Sequence, residues 1–571
     1  MIAKKNNFIH KKLEKILVAT ATYNEAANIK EFVQRVRNVL GNSQEILVVD
    51  DNSTDGTGNI VRGLMVSDKH LHIVTRRCKM GIGSAHKMMM LYAISNEYDY
   101  LVTMDGDLSH QPEEIPSLLK HAGKNVFVIG SRYMPGGNSD YTGTRMALSR
   151  IGNFMARIML GIPLREFTTS FRVFDVNLLK STPIEDIKSN GYSFFVEMVS
   201  LMKMVGARLI EAPIHFKDRK NDVSKIPQFQ VLASLYNLIV LMFKQHLIFR
   251  PIDYIKSYDK SCRSCGEKAL LPLWRDKQNR KAEKLTHKNY NCSSIQTEAA
   301  PPVLFECFCC GLIQIPSSNC GSVDREIYAQ VEDETYLSNF SVKLMTFRNA
   351  FRKIAAYLPK KELNILDIGS YYGAFLEVVK EAGHHGYGIE PSHIASAHSR
   401  DILKHKVATG YFPGKLPFQN VSFDLITTWD VLEHVDEPDN FIAAISELLP
   451  NDGLLAVSSI ISDSFIAKIL RKHWHWILPM HLTYFRKHQI LDMLDRHGFD
   501  VLGYLHHTHY ASVSYAMRGA SRNMHPSVRM LVKHISKVIP ASLVIPFSLG
   551  DVRMFICKKR PVSVVTDLLP A

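Results

Sequence analysis

Two aspartates one residue apart, Asp105 and Asp107 flanking Gly106, form the first pattern in this 571-residue chain whose chemistry can be stated. Carboxylates at that spacing on a strand-to-helix loop can hold magnesium or manganese, hard ions that keep few protein ligands and also bind a diphosphate. A solvated turn is the alternative reading of a bare D-x-D. A second pattern is the pair of C-x-x-C-G turns, Cys262-Arg-Ser-Cys265-Gly266 and Cys307-Phe-Cys309-Cys310-Gly311. Four thiolates suit tetrahedral zinc, with Cys262, Cys265, Cys307 and Cys310 as the expected ligands. Cys309 competes with Cys310, but the following glycine favours the latter. The separation of the two turns is wider than in common zinc patterns, so redox-active or free cysteines stay open. A closed four-thiolate site leaves no position for water, so its expected role is structural. The third pattern is LNILDIGSYYGAFL, where Gly369 and Gly373 permit close approach of a cofactor, with Glu390 on the next strand end able to accept two ribose hydroxyls. Tyr371 occupies the place of a middle glycine, so a dinucleotide fingerprint fits poorly.

Strands and helices must present these residues. From Lys15 to Phe216, apolar runs (ILVATATYN, EILVVDDNS, YLVTMDGD, NVFVIGSRY) alternate with helical stretches, which predicts an α/β layer fold. Ligands of open α/β sheets sit beyond the carboxyl ends of strands, so Glu25, Asp50, Asp51, Asp105 and Asp107 are expected at one edge. Pro112-Glu113-Glu114 suits the first turn of the helix that follows the acids. A second alternating block, LNILDIG, YGIEPS, FDLITTW and GLLAVSS, predicts another doubly wound domain that ends in the antiparallel strand DVRMFICKK. The expected division is therefore 1–250, 258–322 for the cysteine segment, and 325–560. Asp276 to Pro302 reads as a linker, and the basic segment between Met517 and Leu549 as an insertion over the second site's rim or a solvated helical pair.

Composition agrees with globular domains: 46% of residues are hydrophobic and 22% charged. A formal charge of +14 favours anionic partners without choosing among nucleotides, lipid phosphates, membrane and nucleic acid. Nine cysteines, most of them between Cys262 and Cys320, suggest metal rather than a secreted disulfide scaffold. The N-terminal lysines are followed by no apolar run that would make a signal peptide. The greasiest stretch, Val231 to Phe243, is too short to cross a bilayer. It could lie on a membrane or pack as an ordinary helix.

ATYNEAANI, VVDDNSTDGT, GIGSAHKMMM, IGSRYMPGG, TTSFRVF, GYSFFVEM and EAPIHFKDRKNDVSK occur in this order, and the series resembles the family-two glycosyltransferases of the dolichol-phosphate mannose synthase kind up to Lys225. The resemblance implies a Rossmann-like GT-A domain, a nucleotide sugar such as GDP-mannose, a divalent metal and a polyprenyl phosphate acceptor. Carried over by motif, Ala21, Tyr23, Glu25, Val49 and Asp51 surround the nucleotide, and Asp105, Gly106 and Asp107 hold metal and diphosphate. Arg132, Arg219 and Lys225, with Arg145 in support, grip the phosphates of donor and acceptor; a surface salt bridge is the alternative for each. An acceptor that is already an anion needs no general base, so the expected chemistry is direct inverting displacement by alignment and charge. The sequence departs from the family at Ala21 for proline, Glu166 for aspartate, Thr169 for glycine and Asp222 for glycine, and the last puts acceptor and donor identity in question.

LPFQNVSFDLITTWDVLEHVDEPDNFI and HWHWILPMHLTYFRKHQILDMLDRHGF extend the glycine loop into a pattern similar to class I S-adenosylmethionine-dependent methyltransferases that carry a zinc ribbon, from Tyr328 to Lys558. By that resemblance Asp367, Gly369 and Gly373 line the methionine end of the cofactor, Glu390 takes the ribose, and Asp430 and His434 face the substrate. His434 and His481 are candidate bases, or structural histidines bonded to backbone carbonyls, the latter favoured for His481. The whole implies a bifunctional cytoplasmic enzyme, peripheral at the cytosolic membrane face, with no nucleic-acid partner. A methyltransferase-like module that only binds, and a nucleic-acid-modifying fusion, are the rival readings.

Overall fold

Aliphatic runs alternating with amphipathic segments build two seven-stranded sheets, each in its own compact unit. The computed structural model describes residues 14–218, 260–273, 302–316 and 328–561, leaving out 192, 360, 415, 419–420, 515–516, 518–529, 531, 533, 537 and 541–542. The units are Met1–Trp274 with Glu306–Gly311, and Arg275–Phe305 with Leu312–Ala571. The expected interfacial helix around Val231 to Phe243 and most of the expected linker and rim insertion lie outside the described residues.

The first unit runs β1 (Ile16–Thr22), α1 (Ile29–Leu40), β2 (Glu45–Asp50), α2 (Thr57–Met65), β3 (Leu71–Thr75), α3 (Ile82–Ser95), β4 (Tyr100–Asp105), α4 (Ile115–Leu119), β5 (Val126–Ser131), α5 (Gly143–Leu160), β6 (Arg172–Asp175), α6 (Ser193–Met204) and β7 (Arg208–Pro213). Its strand order is β3-β2-β1-β4-β6-β5-β7. The first four strands are parallel, and β6 runs antiparallel between β4 and β5. Leu17, Val18, Ala19, Ile46, Leu47 and Val48 are fully buried, as continuous apolar strands covered on both faces must be. Ile29, Phe32, Val33 and Val36 recur at helical spacing on α1 and share the core with Val18, Ile46 and Val48. Pro112–Glu114 forms one 3-10 turn directly before α4, consistent with proline at a helix start.

The second unit contains α7 (Phe340–Ala355), β8 (Asn364–Ile368), α8 (Ala374–Glu381), β9 (His385–Glu390), β10 (Lys406–Thr409), β11 (Leu425–Thr428), α9 (Pro438–Leu448), β12 (Leu454–Ile460), α10 (Lys487–Arg496), β13 (Phe499–His506) and β14 (Val552–Lys559). The order is β10-β9-β8-β11-β12-β14-β13. Five parallel strands end in an antiparallel pair, with β14 inserted between β12 and β13, so DVRMFICKK is the antiparallel strand that its position in the sequence predicts. Both units are α/β, each an open, mostly parallel seven-stranded sheet with helices between its strands, as the alternation of runs predicts.

Candidate functional site

Strand register brings the first set of acids together. Ala21 on β1 lies opposite Val49 of β2 on one side and Asp105 of β4 on the other, and Thr22 lies opposite Asp50. Parallel strands that end level deliver their carboxyl-terminal residues to one edge. The two acids of VVDD then diverge. Asp50 is structural, accepting from Thr22 Oγ1 (3.1 Å) and the Ser53 N–H (3.1 Å). Asp51 pairs with the fully buried Arg76 and accepts from the Gly81 N–H at 3.2 Å. Tyr23 is 42% exposed, with Lys79 Nζ 3.6 Å from its ring centroid, a flat cationic surface of the kind on which a base can stack. Glu25 is tied to the loop by Asn28 Nδ2 at 2.8 Å. Arg76 and Lys79 escape sequence reasoning because each lies far along the chain from the residue it serves.

Ser170 Oγ donates to Asp105 Oδ1 at 2.6 Å, and Ser109 donates to Asp107 Oδ1 through both N–H (3.0 Å) and Oγ (2.6 Å). These bonds fix both carboxylates before any ion arrives. A Cβ on Gly106 would come within 2.9 Å of Thr20 Oγ1, so the intervening residue is small for a steric reason. The buried His110 accepts from the Asp105 N–H through Nδ1 (3.2 Å), so its proton resides on Nε2, 3.2 Å from Thr169 Oγ1. Burial lowers the His110 pKa despite the nearby Asp105 and Asp107, which keeps it neutral. Thr169, an expected anomaly, thus has a partner that glycine would lack. A loop carrying two fixed carboxylates suits a magnesium- or manganese-bound diphosphate.

Arg132 is buried, and its guanidinium makes a bidentate pair with Glu166 through Nε (2.8 Å) and Nη2 (2.9 Å) and a further bond to Thr168 Oγ1 (2.9 Å). Burial opposes the charge, yet the Glu166 carboxylate prevails and holds the arginine pKa up. Its ring neighbours are Tyr133, Tyr141 and Phe216. Arg145 pairs with Asp218 at 3.0 Å. Arg219, Asp222 and Lys225 lie outside the described residues.

The four cysteines meet within the first unit. Cys262 Sγ is 3.6 Å from Cys310 Sγ, Cys265 Sγ is 3.6 Å from Cys307 Sγ, and all four sulfurs lie within 4.8 Å of one another. Tetrahedral zinc with its ordinary Zn–S bond of about 2.3 Å separates sulfurs by about 3.8 Å, so the set fits that ion. Both turns close identically: the Gly266 N–H donates to Cys262 O and the Gly311 N–H to Cys307 O, with both glycines at φ +75°. Arg77 donates to Ser264 Oγ (2.8 Å) and O (3.2 Å), which secures the first turn to the loop after β3.

In the second unit, the glycine loop leaves β8 with Gly369 at φ +79° and Gly373 at φ +84°. A Cβ would stand 2.5 Å from Val431 Cγ2 at the first and 2.2 Å from Ser399 Oγ at the second. Tyr371 also adopts a left-handed backbone, φ +47°, as a middle glycine would. Its ring is held edge-on between Tyr336 and Tyr372, and its hydroxyl donates to Asp333 Oδ2 (3.2 Å), interactions that offset the backbone strain. Glu390 braces the loop, accepting from the N–H groups of Tyr371 and Ser392, both at 2.8 Å. Burial raises Glu390 to about 7 and Asp367, bonded to Thr427 Oγ1, to about 8.

His434 directs Nδ1 at Met480 O (3.0 Å) and His481 directs Nδ1 at Trp476 O (2.8 Å), which places both protons on Nδ1. Their rings are 4.8 Å apart, and their ligand atoms lie within 4.8 Å of a carboxylate oxygen of Glu433. Burial lowers His434 to about 4 and His481 to about 3 and raises Glu433 to about 8. Neutral imidazoles with unprotonated Nε2 are able to accept a proton. Glu433 was not singled out in the sequence, although it directly precedes His434.

Comparison with known proteins locates both units. A model of glycosyl transferase family 2 matches residues 17–182, and a methyltransferase domain model matches residues 344–503. An undecaprenyl-phosphate mannosyltransferase of Micrococcus luteus is 36% identical over 213 residues, covering 37% of this chain and 87% of that protein. A polyprenol monophosphomannose synthase of Mycolicibacterium smegmatis is 33% identical over 229 residues, 39% of this chain and 86% of that protein. Among solved structures, a Thermotoga maritima S-adenosylmethionine-dependent methyltransferase shows 19% identity over 40% of this chain and 95% of its own, with a TM-score of 0.27.

Proposed function

Because the chain belongs to glycosyl transferase family 2, alongside the polyprenyl-phosphate mannosyltransferases, and carries a class I methyltransferase domain, we propose that it transfers mannose from GDP-mannose to a polyprenyl phosphate and methylates the glycolipid or its sugar. The observation that carries the first half is the kinship over nearly the whole length of those relatives, joined to carboxylates fixed at a strand edge. In this reading Ala21, Tyr23, Glu25, Val49 and Asp51 border the nucleotide, while Asp105 and Asp107 hold magnesium or manganese on the donor diphosphate. That ion supplies charge to the departing nucleoside diphosphate. The acceptor phosphate brings its own negative charge, so the protein aligns two anions with Arg132, Arg219 and Lys225 and needs no base for the attack. Arg132 takes part with its orientation set by Glu166.

Membrane contact is supported by α5. Leu148, Ile151, Phe154 and Ile158 are all more than half exposed and recur at helical spacing beside Arg145, Arg150 and Arg157. Apolar side chains flanked by cations suit an anionic lipid surface, which supports the reading of a peripheral enzyme at the cytosolic face. Among the described residues no helix is long and apolar enough to cross a membrane. The four-cysteine cluster is assigned structural zinc.

For the second half, Asp367 and the Gly369–Gly373 loop accommodate the methionine end of S-adenosylmethionine, Glu390 the ribose, and His434 a proton from a hydroxyl acceptor. A binding-only module is the second reading, favoured by the bulky Tyr371 in the loop. The test incubates the full chain with labelled GDP-mannose, S-adenosylmethionine carrying a different methyl label, polyprenyl phosphate and magnesium or manganese. Both labels in one lipid-extractable product support the proposal. No sugar in the lipid phase overturns it, and sugar without methyl, together with calorimetric binding of S-adenosylmethionine, selects the second reading.

A further inference from the structure

Asp430, His507 and His509 converge beside the glycine loop of the second unit, with one ligand atom of each within 4.8 Å of the others. Asp430 follows β11, and its neighbour Val431 is the residue against which Gly369 packs, so the cluster adjoins the expected methyl-donor site. Asp430 has a left-handed backbone, φ +52°, where a non-glycine residue is held only by its surroundings. The hold comes from Ser458, whose Oγ accepts from the Asp430 N–H at 2.9 Å and donates to Asp430 Oδ1 at 2.7 Å. His507 is 2% exposed and stacked on Trp429, with ring centroids 5.2 Å apart, and it meets His509 edge-on at 4.6 Å.

Two buried nitrogens in this cluster, His507 Nδ1 and His509 Nε2, have no hydrogen-bond partner. Such groups ordinarily find one, since an unsatisfied buried polar atom costs about 1–3 kcal/mol. A carboxylate fixed by a serine, two neutral imidazoles and two unsatisfied ring nitrogens form a donor set that still lacks its acceptor. We propose that Asp430, His507 and His509 bind a divalent first-row transition ion whose remaining positions take an oxygen of the methyl acceptor. Two nitrogens and one oxygen suit manganese, iron, cobalt or zinc rather than magnesium, which prefers an all-oxygen shell. The positive charge of Lys343 acts on all three residues and disfavours binding by charge alone, so affinity must draw on nitrogen ligation. Three protein ligands leave room for a substrate oxygen, and a metal-bound hydroxyl is more acidic than a free one. The acceptor class is therefore a hydroxyl-bearing molecule, which rests on the methyltransferase reading.

The test is equilibrium dialysis of full-length protein against cobalt(II), with S-adenosylmethionine binding measured separately by calorimetry. Asp430→Asn retains side-chain shape and tolerates the left-handed backbone, and His509→Gln alters a half-buried position, so both are expected to fold. The wild-type protein is expected to bind one more equivalent of cobalt than either variant, or to hold it at least ~100-fold more tightly. Equal stoichiometry and affinity in all three proteins, with S-adenosylmethionine binding intact, overturns the metal site. A metal difference in a protein that fails to bind S-adenosylmethionine supports the site and removes its role beside a methyl donor.

Discussion

Replacing Glu166 with alanine should destabilise the first unit far more than an ordinary surface change. Glu166 is completely buried, and its carboxylate accepts four bonds: Arg132 Nε (2.8 Å), Arg132 Nη2 (2.9 Å), Thr168 Oγ1 (2.7 Å) and the Thr168 N–H (3.1 Å). Removing one partner of a buried pair leaves the other charge unpaired in low dielectric, at a cost of about 3–5 kcal/mol. In a unit of this size that corresponds to a fall in Tm of about 6–20 °C. Trp429, Trp474 and Trp476 lie in the second unit and Trp274 in the first, so in a Trp274→Phe background tryptophan fluorescence follows the second unit while calorimetry follows both. The calorimetric transition of the first unit should move down and the tryptophan transition should stay. Removing both partners, with Arg132→Ala added, should cost less than the sum of the single changes by at least about 1 kcal/mol, because no orphaned charge remains. The pH dependence has a defined sign. Burial opposes ionisation of Glu166, but Arg132 and Thr168 outweigh it and hold its pKa below the ordinary value. Its stabilisation is thus present above the unfolded pKa and lost as pH falls through the folded one, and Glu166→Ala should lack that acid-sensitive component. A loss under about 1 kcal/mol, or a strictly additive double variant, would refute the assignment of Arg132 to Glu166.

Three further outcomes follow from the geometry. Burial raises Glu390 to about 7 and Asp367 to about 8, so the stability these acids contribute is present below their unfolded pKa values and lost as pH rises through 7 and 8. An ionised Glu390 is the form that accepts ribose hydroxyls, so S-adenosylmethionine affinity should rise roughly tenfold between pH 6 and pH 8, as titration about a pKa near 7 dictates; a flat wild-type profile, or a Glu390→Gln profile with the same slope, counts against this. Gly373→Ala should destabilise the second unit by about 2–5 kcal/mol and weaken cofactor binding, whereas Gly383→Ala, at φ +79° with nothing within 4 Å, should cost only about 1 kcal/mol; equal costs in denaturant titrations would remove the steric argument. Ile151→Glu with Phe154→Glu on α5 should reduce sedimentation with anionic vesicles at least ~10-fold while leaving Tm within about 2 °C, because both side chains are exposed; unchanged vesicle binding would exclude that face.

What the sequence determined is local. The spacing of Asp105, Gly106 and Asp107, the two C-x-x-C-G turns, the Gly369 and Gly373 loop and the apolar runs of both sheets depend on neighbours a few residues apart, and covalent geometry with strand and helix periodicity carries that information. The α/β class and the fusion were legible for this reason. Tertiary structure decided what depends on distant segments meeting. It committed the Arg132 fork to Glu166, 34 residues away, paired Asp51 with Arg76, and set His110 behind Asp105. It also gave Tyr371 a buried aromatic setting that sustains a glycine-like backbone, and it brought His507 and His509 to Asp430 from beyond two further strands of the same seven-stranded sheet. No periodicity encodes such meetings, because they arise only when chain entropy has been spent to bring remote side chains into one low-dielectric place.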